Sequence, residues 1–126
     1  MPADISSHPD AHQFRTVLAL GTQDAPNFSG CNSVVTWGCG TGCQSFAIVD
    51  RRSGRVYMGD FTLALGASFE RESDLFIASP PEAWEAAYGD DAALAFGGYA
   101  ASYYYRWDGE RLIQIDSLLI GSAFQR

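Results

Sequence analysis

The 126-residue sequence contains no lysine and only two histidines, His8 and His12, both near its start. The lack of lysine excludes a P-loop lysine, a Schiff-base lysine and a lysine general base. A histidine-based acid, base or metal site would have to use the N-terminal stretch. The eight basic residues, all arginine, face fifteen acidic ones, which gives a formal charge of −7. We therefore expect no nucleic-acid partner, because phosphate binding needs a basic face.

Long apolar runs are also missing. No stretch approaches the roughly 18 uninterrupted apolar residues of a membrane span, and residues 1–7 lack the basic and apolar regions of a signal peptide. We expect a cytoplasmic protein without membrane contact, with a periplasmic or secreted location as the alternative if a leader precedes this sequence. The three cysteines do not decide the compartment, because an odd count leaves one unpaired.

Length and a hydrophobic content of 47% predict one domain over residues 1–126, with 1–8 as a flexible tail. A helix is predicted over 9–20, with Pro9 in its first position and Gly21 as its stop. Ser79 followed by Glu82 matches a capping box and predicts a helical insertion near 80–96.

The remaining pattern indicates short strands. Hairpin spacing predicts that Phe46 and Ile48 face the same side as Val56 and Met58. A two-residue turn at Asp108-Gly109 would place Arg106 opposite Arg111. The predicted fold is α+β, an antiparallel sheet of about five to seven short strands with an N-terminal helix and the insertion near 80–96. The strand-like segments are 32–37, 43–50, 55–58, 61–65, 74–79, 99–107 and 110–116.

Four segments of the chain form a distinctive pattern: NFSG at 27–30, VVTWGCGTGCQ at 34–44, AIVD at 47–50 and SGRVY at 53–57. They resemble the signature of a family of small bacterial proteins, often exported and largely without assigned activity. The residues around 8–16 and 103–109 also resemble that family, whereas 80–98 looks like a local elaboration. Many members carry two cysteines that match Cys39 and Cys43, and a disulfide between this pair would hold the turn in an oxidising compartment. The resemblance implies a fold and no activity.

Two groups of residues are candidates for binding an anion. Gly40 and Gly42 allow positive φ, so their N–H groups are candidates for an anion-binding nest, with a tight structural turn as the alternative. Arg51, Arg52 and Arg55 concentrate three positive charges around a hairpin loop. They are candidates for a carboxylate or phosphate clamp, with a solvated hairpin tip as the alternative.

Acids and tyrosines are candidates for contacting a protein. Four acids between 82 and 91 have no basic partner in that stretch, and they are either a solvated helix face or a patch for a basic protein. Exposed tyrosine beside Arg106 is typical of contact surfaces, with burial as the alternative. These candidates are Glu82, Glu85, Asp90, Asp91, Tyr103 and Tyr105.

No catalytic residue, metal ion or cofactor is predicted. A catalytic thiolate needs a histidine or cationic neighbour, and zinc needs a fourth ligand beside three cysteines. The first hypothesis is a non-catalytic protein-binding module, most concretely an immunity-type inhibitor that neutralises a basic toxin or enzyme. The alternatives are an exported domain that binds a small ligand or anion, and a cysteine-dependent redox enzyme. The sequence leaves the oligomeric state open.

Overall fold

A computed structural model describes residues 2–7, 14–89 and 100–120. Within these residues the chain forms two helices and seven strands, so the predicted α+β fold is confirmed. All strand pairs are antiparallel, and they form two sheets with the orders β1-β2-β3 and β4-β5-β6-β7. The helices are α1 (Arg15–Gly21) and α2 (Pro81–Tyr88), and the strands are β1 (Asn32–Gly40), β2 (Cys43–Asp50), β3 (Val56–Met58), β4 (Ala67–Ser68), β5 (Leu75–Ala78), β6 (Ala101–Trp107) and β7 (Leu112–Leu119).

The two sheets meet in one aromatic core. Phe46 from β2 stacks on Phe76 from β5, with ring centroids 5.0 Å apart. Phe28, from the loop before β1, lies edge-on to both Phe76 and Trp107. Such ring pairs add about 0.5–1.5 kcal/mol each beyond the burial of their area. Ile48 completes this inner face of the three-stranded sheet and is also fully buried.

The outer face of the three-stranded sheet is covered by α1 and the N-terminal residues. Leu18 of α1 is fully buried against Val35 and Val49. Asp4 N–H donates to the Gly54 carbonyl, and Ser7 Oγ accepts a hydrogen bond from Val56 N–H. The predicted flexible tail is therefore hydrogen-bonded along the edge of β3 through residues 4–7.

Helix α1 differs in its bounds from the prediction. Helix α1 begins at Arg15 rather than at 9, and residues 8–13 lie outside the described part of the chain. Gly21 is its last residue rather than its stop, and a Cβ there would lie 2.5 Å from Val35 Cγ1. The glycine is therefore needed for the close approach of α1 to β1. Residues 90–96 of the predicted insertion likewise fall outside the described residues.

The predicted capping box before α2 is wrong. Pro80 is the N-cap residue and makes no side-chain cap hydrogen bond. Ser79 instead adopts a φ of 50°, and its hydroxyl accepts a hydrogen bond from Leu65 N–H. The Ser79 hydroxyl therefore binds the backbone of a distant loop instead of capping the helix.

The predicted facing of the β2–β3 hairpin is also wrong. Ile48 pairs with Tyr57 and Val49 with Val56, so Phe46 and Ile48 face the core while Val56 and Met58 face α1. The cause is the length of the loop 51–54. Because this loop has an even number of residues, each even-numbered residue of β2 lies opposite an odd-numbered residue of β3 and shares its face of the sheet. That loop was itself predicted correctly.

The predicted turn between β6 and β7 is too short. Trp107 pairs with Leu112, which makes the loop four residues long and places Arg106 opposite Ile113 rather than Arg111. The Asp108 carboxylate causes this by accepting hydrogen bonds from the N–H groups of Glu110 and Arg111, both at 2.8 Å.

The predicted strand over 61–65 is not formed. Leu63 makes one isolated bridge to Gln44, with both N–H to carbonyl distances at 2.8 Å. The rest of 59–66 is a loop, and its apolar side chains pack on the two sheets without a continuous ladder.

Candidate functional site

The cysteine-rich turn joins β1 to β2. Cys39 and Cys43 form a disulfide with a Cα–Cα distance of 5.2 Å, which confirms the expected pairing. Cys31 is half-buried and free. Gly40 and Gly42 have φ values of 133° and 65°, a region that side chains rarely adopt. The turn is exposed, and its role as an anion nest stays a prediction.

The three arginines lie at the other end of β2 from the glycines. Eight residues of strand separate them, a span of roughly 25 Å. No small anion can contact both groups, so the two candidates do not form one site. The Arg51 guanidinium donates to the Asp24 carbonyl and to Ser33 Oγ, and Arg52 pairs with Asp50 at 3.4 Å. Arg55 is exposed and lines a cleft at this end.

The acidic candidates are divided by what the structure describes. Glu82 and Glu85 lie on α2 and are both exposed, whereas Asp90 and Asp91 fall outside the described residues. Helix α2 is attached to β6 by Trp84, whose indole N–H donates to the Ala101 carbonyl at 3.0 Å. The helix therefore presents two carboxylates to solvent from a fixed position.

The two tyrosine candidates lie on the same face of β6 and are both partly accessible. Tyr105 stacks on Phe61 with centroids 4.7 Å apart. Burial first, and then the neighbouring Tyr103 and Asp60, raise the pKa of Tyr105 above its usual range. Tyr105 thus remains neutral at physiological pH. Tyr103 is 41% exposed.

Both tyrosines line a depression of about 410 Å³ that we call the aromatic cleft. Its walls come from the loop 59–66, from the end of β5, from α2 and from β6. None of the described residues that line it is charged. Its volume lies in the range of pockets that bury a ligand or a large side chain. The cleft is lined by Phe61, Thr62, Ala64, Ala78, Ser79, Trp84, Ala101, Tyr103 and Tyr105.

Most of this cleft has no signal in the sequence. Phe61 lies in a segment with a strand-like pattern, Trp84 fits a core position, and the alanines carry no signal of their own. The cleft forms because residues 61–64 and 78–84 converge on β6. Only the tyrosines of β6 pointed to it.

Strand β7 borders the cleft and forms an edge of its sheet. Ala101, Tyr103 and Tyr105 pair with Leu119, Ser117 and Gln114 of β7. Within the described residues β7 is paired with β6 alone, so its outer backbone groups face away from the sheet. Two of its apolar side chains are more than half exposed, Ile115 at 56% and Leu119 at 53%. Edges of this kind can accept a further strand.

Metal-ligating side chains do not cluster in the described part of the chain. No group of three or more histidine, cysteine, aspartate or glutamate side chains lies there in a position to hold a metal ion. Both histidines lie outside the described residues. Neither described helix is long and apolar enough to cross a membrane.

Comparison with models of protein families, with curated proteins and with solved structures finds no match for this chain. The resemblance to a family of small bacterial proteins therefore stays a prediction.

Proposed function

We propose that the protein is a non-catalytic protein-binding module, and most specifically an immunity-type inhibitor of a basic bacterial toxin. The observation that carries the proposal is the aromatic cleft, bordered by the acidic surface of α2 and by β7, which among the described residues pairs with β6 alone. We call these three features together the binding face.

The composition of the binding face supports contact with a protein. Tyrosine and tryptophan are enriched at interface cores, and a few such residues carry most of the binding energy. Tyr103 combines an exposed ring with a position on a strand, which holds it in place before the partner arrives. Less conformational freedom is then lost on binding.

The charge of the binding face supports a basic partner. Helix α2 contains Glu82 and Glu85 and no basic residue. Acidic groups around an apolar centre attract a basic protein and accelerate its association. The formal charge of −7 acts in the same direction.

Charge reversal tests the location of the surface. Immobilised protein is used to capture partners from a bacterial lysate, and the same is done with the double variant Glu82→Arg, Glu85→Arg. The matched control is Glu70→Arg, Glu72→Arg, which makes the same charge change on exposed residues that do not line the aromatic cleft. We expect the α2 variant to lose the captured protein and the control to retain it. Equal capture by both variants would contradict the assignment.

Truncation of one ring tests the cleft itself. Tyr103→Ala should weaken binding of the captured protein by about thirtyfold, the effect of losing about 2 kcal/mol at an interface hot spot. Neutralisation is then measured as growth of cells that express the captured protein, with and without this chain. An inhibitor restores growth, and Tyr103→Ala should restore less. Growth that does not respond to the chain would overturn the inhibitor function while leaving the binding face open to a different partner.

A further inference from the structure

A second cleft, of about 470 Å³, lies at the end of the molecule opposite α2. It opens between the N-terminal residues, the β2–β3 hairpin and the loop 108–111. We call it the hairpin cleft. It shares no described lining residue with the aromatic cleft, so a ligand bound there is independent of the proposed protein partner.

The wall formed by the N-terminal residues is held by hydrogen bonds. Ser7 Oγ accepts from Val56 N–H at 2.8 Å and donates to the Asp4 carbonyl at 2.7 Å. Gly54 has a φ of 81°, and a Cβ on it would lie 2.5 Å from the Pro2 carbonyl oxygen. The hairpin loop and the N-terminal segment therefore pack backbone to backbone, which fixes the position of this wall.

The floor of the hairpin cleft is apolar and aromatic. Ile48 is fully buried, and Tyr57 and Trp107 meet edge to face with centroids 5.4 Å apart. Burial, followed by the nearby Asp60, raises the pKa of Tyr57, so its ring stays uncharged. Such a floor suits the hydrocarbon part of a small molecule.

The rim carries charges of both signs. The Asp4 carboxylate accepts hydrogen bonds from the hydroxyl and the N–H of Ser6, which lower its pKa. Burial alone would raise the pKa of Asp50, but hydrogen bonds from Arg52 and the charge of Arg52 outweigh it, so the pKa is lowered. Both carboxyl groups are therefore ionised at neutral pH.

Arg55 supplies the positive charge of the rim. Its guanidinium makes no hydrogen bond or ion pair with another residue that the structure describes, unlike Arg51 and Arg52 at the same hairpin. Glu110 adds an exposed carboxylate from the loop 108–111. One guanidinium and several carboxylates therefore lie together at the rim of the cleft, above its apolar floor.

We propose that the hairpin cleft binds a small zwitterion with an apolar body, of the class of an α-amino acid with an aromatic or aliphatic side chain. The ammonium group binds the carboxylates of Asp50 and Glu110, and the carboxylate binds Arg55. The apolar body lies on the partly exposed ring of Tyr57, which Ile48 and Trp107 support from within the core.

Calorimetric titration with three probes tests this ligand class. The probes are L-phenylalanine, phenethylamine, which lacks the carboxylate, and 3-phenylpropionate, which lacks the ammonium group. We expect L-phenylalanine to bind about tenfold or more tightly than either of the others, because each of them loses a charge-assisted hydrogen-bonding group. No binding of L-phenylalanine at millimolar concentration, or equal binding of all three probes, would overturn the proposal.

Two variants assign the charges. Arg55→Gln should weaken L-phenylalanine by about tenfold and leave phenethylamine unchanged, whereas Glu110→Gln should weaken both of these probes. The matched controls are Arg71→Gln and Glu72→Gln, which remove the same charges from exposed residues that do not line the cleft. Controls that weaken L-phenylalanine as much as the cleft variants would show a general charge effect and overturn the assignment. Far-ultraviolet circular dichroism checks that each variant is folded.

Discussion

At Gly59 the backbone passes directly beneath the Phe46 ring, and a Cβ on this residue would overlap three of the ring's atoms. The Gly59 N–H also donates to the Phe46 carbonyl at 2.9 Å. Phe46 is itself enclosed by Phe61 and Phe76, so the ring has no room to move aside. The position therefore requires glycine for space rather than for φ.

Gly59→Ala should lower the free energy of unfolding by about 1–3 kcal/mol, the usual cost of adding a methyl group to a filled core. Gly38→Ala is the control, because a Cβ there meets no atom within 4 Å. Urea denaturation of both variants measures the difference. A Gly59→Ala variant as stable as Gly38→Ala would show that the loop after β3 moves freely.

Asp108 should make stability depend on pH. Hydrogen bonds from the N–H groups of Glu110 and Arg111 lower its pKa below the usual value in the folded state. A carboxyl group whose pKa is lower in the folded state stabilises the fold at any pH above its pKa in the unfolded state. This contribution disappears as the pH falls through its pKa in the folded state. Asp108→Asn should therefore lower the urea midpoint at pH 7, and the gap to the original protein should close as the pH falls through the folded pKa. A gap that stays constant with pH would show that charge is not involved.

At the scale of elements, local patterns predicted strands well and contacts between segments poorly. Alternating apolar residues located β2 at 43–50 with the observed bounds. The same kind of pattern failed at 61–65, because the only backbone partner of Leu63 within the described residues is Gln44, at the end of a strand that already pairs with β1 and β3. Ser79 failed as a cap because Leu65, fourteen residues earlier, uses its hydroxyl. Neither outcome is encoded in the local sequence.

The disulfide should stabilise the β1–β2 hairpin modestly. Cys39 and Cys43 are only four residues apart, so the bond closes a short loop. The entropy that the unfolded chain loses through this closure raises the free energy of unfolding by about 2 kcal/mol. The double variant Cys39→Ser, Cys43→Ser should lose about this much in urea denaturation and keep its circular dichroism spectrum. Loss of the folded spectrum would mean that the bond is required for folding. Cys31→Ser keeps the bond and controls for cysteine replacement.

On the scale of the whole molecule, charge is unevenly distributed. Asp50, Arg52, Asp74, Arg106 and Asp108 surround one cleft at the loop end of the two sheets. The opposite end, with α2, the aromatic cleft and the last residues of β7, presents acids and aromatic rings. Most of the arginines lie in loops or at strand termini near the cleft that contains Asp50 and Asp108. They are Arg51, Arg52, Arg55, Arg71, Arg106 and Arg111.

This separation explains which site predictions the sequence could support. The acids after 80 and the tyrosines after 100 were recognisable as surface candidates from composition alone. The convergence of the tyrosines with Phe61 on one cleft depends on sheet packing, which no single segment specifies. The glycines and the arginines are both anion-site candidates in the sequence, and only the length of β2 separates the two groups. An extended strand carries them apart, whereas a turn would have brought them together.

Hydrogen exchange of the purified chain, alone and bound to its captured partner, tests the binding face most directly. A partner that covers the aromatic cleft and the edge of β7 should slow exchange in α2 and along β7, with little change in the loops 51–54 and 108–111. Protection confined to those loops, with β7 and α2 exchanging as in the free protein, would contradict the proposal.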